Sequence, residues 1–229
     1  MILSDGCQIQ RPKPIVSSFS NVSDGSNNLM MGMTDKFAVI DFETTGLSPH
    51  QGDRAIEIGV ALFDGDRVID TYQSLMNPGV PVPYFIESLT GISQTMVERS
   101  PASSVVIREA CEIIGDLPIV AHNASFDRNF YVAELGRIGR SYVDPFLCTM
   151  LIGRRLYPDS PNHKLATLAA LNEISTEGHH RALADAVMTS KLLVVMRKDL
   201  LRIYDNRTID SQFLHDYQKK SKSSVRSSG

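Results

Sequence analysis

The most restrictive feature of this chain is a short apolar segment that runs directly into two carboxylates. Phe37-Ala38-Val39-Ile40 has the length and β-branching of a buried strand, and Asp41-Phe42-Glu43 follows it without a break. Because side chains alternate between the faces of a strand, Asp41 and Glu43 point the same way. Two such carboxylates repel each other and resist desolvation, which a hard divalent cation would offset. The alternative interpretation is a strand that simply ends in polar residues at the surface.

The charge of the chain is unevenly distributed. The formal net charge of the 229 residues is −3. Residues 197–229 carry eight Lys or Arg against four Asp, so residues 1–196 carry a net charge of −7. These values give no electrostatic argument for a protein that coats duplex DNA. An acidic body of this kind needs metal ions to neutralise the point at which it holds a polyanion.

Three segments are predicted along the chain. Residues 1–35 are polar and aperiodic, which predicts a disordered tail. Residues 36–205 carry the periodic pattern of one domain, and residues 206–229 form a polar, basic tail. We find neither a secretory signal nor an apolar stretch long enough to span a membrane. The three cysteines are widely spaced and indicate neither a disulfide framework nor a zinc site, so we expect reduced thiols and a cytoplasmic location.

The domain pattern predicts a mixed α/β sheet. Three tightly joined strands, the last two over residues 55–63 and 67–76, indicate an antiparallel meander that carries Asp41 and Glu43. A fourth, short strand is predicted over residues 118–121. Helices are predicted over residues 101–115, 125–139, 146–157, 163–171 and 180–204.

Two further stretches carry carboxylates at the edges of these elements. Asp127 ends the stretch Ala121-His122-Asn123-Ala124-Ser125-Phe126-Asp127 and falls in the first turn of a predicted helix. The helix dipole alone would also favour a carboxylate at this position. In Gly178-His179-His180-Arg181-Ala182-Leu183-Ala184-Asp185-Ala186, Asp185 lies on an apolar helix face, which favours a ligand role. His180 lies five residues before Asp185, and a solvated loop is the alternative interpretation of the two adjacent histidines.

Asp41, Glu43, Asp127, Asp185 and His180 together fit one chemistry. Four carboxylates can bind two Mg²⁺ ions and still leave coordination positions for water and phosphate oxygens. Two such ions can hold a phosphodiester, generate hydroxide and stabilise the leaving oxygen. A neutral imidazole can deprotonate the attacking water. The chain lacks the histidine spacing of a zinc hydrolase.

The stretches DFETTG, HNASFD and HHRALADA resemble the three motifs of the DEDDh (DnaQ-like) 3′→5′ exonuclease family, closest to the epsilon (proofreading) subunits of bacterial DNA polymerase III and their stand-alone relatives. The likeness runs from about Lys36 to Val195. It implies a ribonuclease-H-like fold, with a central five-stranded mixed sheet flanked by helices. A fifth strand would then fall near Tyr142-Val143-Asp144.

The resemblance also implies the roles of the site residues. Two Mg²⁺ or Mn²⁺ ions would be bound by Asp41, which would serve both, by Glu43 and Asp185 at the tighter position, and by Asp127 at the other. His180 would be the general base. The terminal nucleotide would be held by Thr44, Thr45, Gly46, Leu47 and Asn123, although Asn123 has a turn-forming role as its alternative. Thr90 stands where a histidine often precedes Gly91 in the family. This departure concerns how the pocket wall stacks on a base, and it leaves the implied chemistry unchanged.

The predicted function is removal of nucleoside 5′-monophosphates from single-stranded or frayed DNA 3′ ends, in replication proofreading or repair. An RNA 3′-end trimming enzyme has the same five residues, and a non-catalytic scaffold or a small-molecule phosphohydrolase are further alternatives. The expected partner is a single-stranded nucleic acid 3′ end, with DNA favoured. A polymerase subunit or a sliding clamp is a possible protein partner, and no membrane contact is expected.

Overall fold

A five-stranded mixed sheet forms the centre of the molecule. The computed structural model describes residues 36–175, 181–204 and 207–221. The strands are β1 (Lys36–Thr44), β2 (Ala55–Asp64), β3 (Arg67–Leu75), β4 (Ile119–Ala121) and β5 (Leu147–Cys148), in the spatial order β3-β2-β1-β4-β5. The first three are antiparallel neighbours, and β4 and β5 run parallel to β1. The predicted α/β class, the meander and the five-stranded mixed sheet are therefore confirmed.

Helices cover both faces of this sheet. Their bounds are α1 (Tyr84–Thr90), α2 (Gln94–Glu98), α3 (Ser103–Ile114), α4 (Ser125–Arg137), α5 (Thr149–Leu156), α6 (Leu165–Leu171), α7 (Ala182–Ile203) and α8 (Ser211–Tyr217). A single 3₁₀ turn at Pro49–Gln51 follows β1. None of the helices in the described ranges combines the length and apolarity that a membrane crossing requires.

Strand β1 lies at the centre of the sheet because its apolar residues are buried from both sides. Phe37 and Val39 belong to the core that includes α7, whereas Ala38 and Ile40 belong to the core that includes α3 and α4. All four side chains are fully buried. By the same alternation, Asp41 and Glu43 leave the strand on the α7 side.

The fifth strand lies at a different place from the one predicted. It was expected near Tyr142-Val143-Asp144, but it is formed by Leu147–Cys148, and the helix predicted from residue 146 begins only at Thr149. Val143 is 81% exposed. The carbonyl groups of Val143 and Asp144 accept hydrogen bonds from the guanidinium of Arg128, at 3.2 Å each, instead of joining a strand ladder.

The chain is packed beyond residue 206, where the sequence predicts a polar tail. Ile209, Leu214 and Tyr217 are buried in the core that includes α7. The side chain of Asp210 caps α8 by accepting the N–H of Phe213 at 2.7 Å. Residues 207–221 are thus part of the folded unit, and the predicted disordered tail at 1–35 and residues 222–229 lie outside the described residues.

Candidate active site

Three carboxylates converge where β1 ends. Asp41 and Glu43 are partly buried on β1, and Asp185 is 7% exposed in the first turn of α7. One carboxylate oxygen from each of these three residues lies within 4.8 Å of the other two. Side chains that are 144 positions apart in the chain therefore form one cluster, as predicted, and this spacing suits a cation shared among carboxylates.

Asp127 approaches the same strand end from the other helix layer. Its side chain is 2% exposed in the first turn of α4, and its Oδ1 accepts the backbone N–H of Phe42 at 3.1 Å. Phe42 lies between Asp41 and Glu43, so this hydrogen bond fixes Asp127 directly beside them. The structure thus brings all four predicted carboxylates to the end of β1.

Burial and then repulsion between neighbouring carboxylates raise the pKa of Asp41, Glu43 and Asp127 in the absence of a cation. Burial, and then the charges of Asp127 and Asp185, raise the pKa of Asp41 well above its usual range. Burial raises the pKa of Glu43 to about 7, although the nearby Arg181 opposes the shift. Burial also raises the pKa of Asp127 to about 8, against the effect of the Phe42 N–H. A divalent cation would remove this penalty, so the donor set fits a metal.

His180, the predicted general base, lies outside the described residues, as does His179. The described chain resumes at Arg181, which is the N-cap residue of α7. The roles assigned to these histidines therefore remain predictions.

The predicted substrate-binding segment forms a tight loop after β1. Thr45 Oγ1 accepts the N–H of Arg54 at 2.9 Å, and Thr44 Oγ1 donates to the carbonyl of Gly46 at 2.6 Å. A Cβ at Gly46 would overlap the carboxylate of Asp53, which accepts the N–H of Ser48 at 2.9 Å and would have to move. Leu47 follows with 85% of its surface exposed. The threonine hydroxyls therefore shape the loop, and the side chain that the loop exposes to solvent is the apolar Leu47.

Asn123 lies at the turn between β4 and α4. Its φ of 63° is in the left-handed region, which asparagine tolerates better than most residues, and its carbonyl accepts the N–H of Phe126 at 2.9 Å. Asn123 also lines a cavity of about 600 Å³ together with Arg128, Cys148 and Arg154. The turn role is therefore observed, and a contact with substrate remains a prediction.

Two buried polar groups, one in the motif of Asp127 and one beside the cluster, were not found from the sequence. The ring of His122 lies between Thr149 Oγ1, at 2.8 Å from Nδ1, and the carbonyl of His163, at 2.9 Å from Nε2. The carbonyl requires a donor at Nε2, and burial lowers the pKa of His122 to about 4, so the ring is neutral. The other group is fully buried Glu57, which forms an ion pair with Arg181. The sequence offers one indication of a special role for Glu57, namely that it is a charged residue within an otherwise apolar strand.

The family model described as Exonuclease (RNase_T) matches residues 38–193. Curated relatives include the "DNA polymerase III PolC-type" proteins of Caldanaerobacter subterraneus subsp. tengcongensis, 34% identical over 199 residues, and of Bacillus subtilis strain 168, 38% identical over 167 residues. These alignments cover 87% and 72% of this chain but only 14% and 12% of the relatives. The chain thus spans about one seventh of their length.

Solved structures with the same fold include exonuclease X in complex with a 5′-overhanging duplex DNA, with a TM-score of 0.62 and 24% identity, covering 80% of this chain and 99% of that one. The nuclease domain of 3′hExo, a DEDDh family member bound to rAMP, has a TM-score of 0.63 and 21% identity, with 72% and 93% covered. These likenesses confirm the predicted ribonuclease-H-like architecture. Because the Exonuclease model spans well over half of the chain and its matched region contains all three acidic motifs, this chain belongs to that exonuclease family.

Proposed function

We propose that the chain is a metal-dependent 3′→5′ exonuclease that releases nucleoside 5′-monophosphates from single-stranded or frayed DNA 3′ ends. The observation that carries this proposal is the cluster of Asp41, Glu43 and Asp185, with Asp127 hydrogen-bonded beside it. Within an exonuclease family, such a cluster is suited to phosphodiester hydrolysis.

Two Mg²⁺ or Mn²⁺ ions would be held by these four carboxylates, with Asp41 serving both, Glu43 and Asp185 completing one position and Asp127 serving the other. When bound, such ions lower the pKa of a coordinated water and stabilise negative charge on the leaving oxygen. The chain's own contribution is to hold the carboxylates at a partly buried strand end, where the positions of the oxygens are fixed before substrate arrives.

His180 is the proposed general base. A histidine whose pKa lies near the working pH can take a proton from the attacking water at a neutral ring nitrogen. Its position in the sequence supports this role, because Arg181 and Ala182 follow directly and begin the helix that carries Asp185.

The 3′-terminal nucleotide is proposed to lie on the loop of Thr44, Thr45, Gly46 and Leu47, near Asn123. Backbone groups and an exposed leucine suit a substrate that is bound without sequence readout. The name of the relatives, DNA polymerase III PolC-type, supports DNA as the substrate and a polymerase as partner. A sliding clamp as a further partner and a cytoplasmic location in replication are part of the same proposal. The rAMP bound to 3′hExo keeps an RNA 3′ end as the second candidate substrate.

The proposal is tested with 5′-labelled single-stranded DNA and a matched RNA, each incubated with Mg²⁺, with Mn²⁺ and with EDTA. We expect a ladder that shortens from the 3′ end, is abolished by EDTA and is lost in Asp41→Ala. Asp159→Asn changes an exposed carboxylate on the loop after α5 and serves as the control. The ratio of the DNA and RNA rates identifies the substrate, and wild-type protein that degrades neither with either metal would contradict the proposal and favour a scaffold.

A further inference from the structure

Glu57 is a fifth acidic residue beside the carboxylate cluster, and its environment differs from that of the other four. It lies on β2 directly opposite Glu43 and is fully buried. Its Oε1 accepts from Arg181 Nη2 at 2.6 Å and from Gln73 Nε2 at 2.8 Å, while its Oε2 accepts the backbone N–H of Ala182 at 3.1 Å. Both oxygens are thus engaged by protein donors.

These contacts provide α7 with a cap that its own sequence lacks. Arg181 is the N-cap residue and forms no side-chain cap, because a guanidinium has no acceptor atom. The carboxylate of Glu57 accepts the first N–H of the helix in its place, at the end where the helix dipole favours negative charge. The start of α7 is therefore fixed by a strand 124 residues earlier in the chain.

The same anchor reaches Asp185 through one helical turn. The N–H of Asp185 donates to the carbonyl of Arg181 at 3.1 Å. Gly59 lies two residues after Glu57 on β2, and a Cβ added there would overlap the backbone of Ala182 and Leu183. Strand β2 and the first turn of α7 are thus in direct backbone contact beside Asp41, the residue opposite Gly59.

We infer that Glu57 is a positioning residue which, through Arg181 and Ala182, holds Asp185 at the distance from Asp41 and Glu43 that a shared cation requires. This inference rests on the proposed function. Metal–oxygen distances tolerate deviations of only about 0.2 Å. Loss of groups that orient ligands typically weakens metal binding roughly 10- to 100-fold.

The test compares Glu57→Gln and Arg181→Gln with wild type by calorimetric titration of the metal-free protein with Mn²⁺, which requires no catalysis. Glu57→Gln removes one acceptor oxygen of the anchor and Arg181→Gln removes its ion pair, and the two substitutions change the charge near the cluster in opposite directions. Positioning predicts that both variants bind Mn²⁺ about 10- to 100-fold more weakly. It also predicts that a sufficiently high Mn²⁺ concentration restores much of their kcat.

Glu134→Gln is the matched control. Glu134 is 2% exposed and pairs with Arg54 Nε at 2.7 Å, so its substitution breaks another ion pair with a buried glutamate, away from α7. We expect this variant to lose stability and to keep the wild-type Mn²⁺ affinity. Glu57→Gln that binds Mn²⁺ as tightly as wild type overturns the inference.

An electrostatic effect without positioning gives a different pattern. In that case Arg181→Gln binds Mn²⁺ more tightly than wild type, because a positive charge has been removed beside the carboxylates. This outcome would also overturn the inference while leaving the proposed function intact. If wild-type protein itself neither binds Mn²⁺ nor shortens DNA, the proposed function fails and the inference fails with it.

Discussion

Replacing Asp127 by asparagine should stabilise the metal-free protein and abolish its nuclease activity. Asp127 is 2% exposed, and its Oδ1 accepts the N–H of Phe42 at 3.1 Å. Asparagine has nearly the same volume and keeps an acceptor oxygen for this bond, so the substitution removes the charge and little else. Activity depends on that charge, because Asp127 is one of the four proposed metal ligands.

The magnitude follows from the pKa of the buried carboxyl. Burial and neighbouring carboxylates raise the pKa of Asp127 from 3.8 to about 8. At about 1.4 kcal/mol per pKa unit, this shift costs the fold at most roughly 5 kcal/mol at pH 8. Neighbouring carboxyls share the repulsion by taking up protons, so we expect a gain of about 2 kcal/mol, or roughly 4–8 °C in Tm.

The pH dependence has a definite sign. Between about pH 4 and pH 8, the folded state holds the Asp127 proton more tightly than the unfolded state, so wild-type stability falls as the pH rises through this window. The advantage of Asp127→Asn should therefore be small near pH 4.5 and largest at pH 8.

The assay is thermal unfolding followed by circular dichroism in EDTA at several pH values, with Asp159→Asn as the control for an exposed carboxylate. An Asp127→Asn variant that is no more stable than wild type at pH 8 would refute the reasoning. A gain that is the same at every pH would also refute it, because a charge effect must titrate.

Three further predictions follow from other parts of the structure. Burial lowers the pKa of His122 from 6.5 to about 4, so the free energy of unfolding of the wild type should fall by up to roughly 3 kcal/mol as the pH drops from 6.5 to 4. His122→Asn should flatten this pH profile in urea titrations, and an unchanged profile would contradict a buried, neutral His122. Leu47→Ala should leave Tm nearly unchanged, since the side chain is 85% exposed, but raise KM for single-stranded DNA about 10-fold in steady-state assays. Leu214→Ala, which truncates a fully buried side chain of α8, should lower the free energy of unfolding by roughly 2–5 kcal/mol in denaturant titrations, whereas a value near zero would show that α8 is dispensable.

The features that the sequence predicted well are those with a local pattern. Phe37–Ile40 is continuously apolar, so β1 could be recognised as a buried strand, and strict alternation then gave the common direction of Asp41 and Glu43. The turn residues Asp64-Gly65 located the β2–β3 hairpin. Asp127 was placed correctly in a first helical turn, and Asp185 was placed correctly on a buried helix face, although that helix begins at Ala182 and not at residue 180.

The features that the sequence did not predict depend on long-range contacts. Strand β5 has two residues, too few for any periodicity, and its position is set by pairing with β4. Glu57 is an acid within an apolar strand, and its partner Arg181 lies 124 positions away and could not be identified from the sequence. Helix α8 lies between polar segments, and it packs because the separated residues Ile209, Leu214 and Tyr217 reach the core, with Phe213 against them.

The side chain of Gln218 has a consequence for how the sheet ends. Its Oε1 accepts the N–H of Cys148 at 2.8 Å, and its Nε2 donates to the carbonyl of Phe146 at 3.3 Å. A side-chain amide thus takes the hydrogen-bonding place of a peptide group from a sixth strand. This margin of the sheet is closed to strand addition by another chain, whereas β3, whose first five residues are exposed, has no strand on its outer side among the described residues. Strand addition between copies of this chain would therefore pair β3 with β3 and end at two molecules.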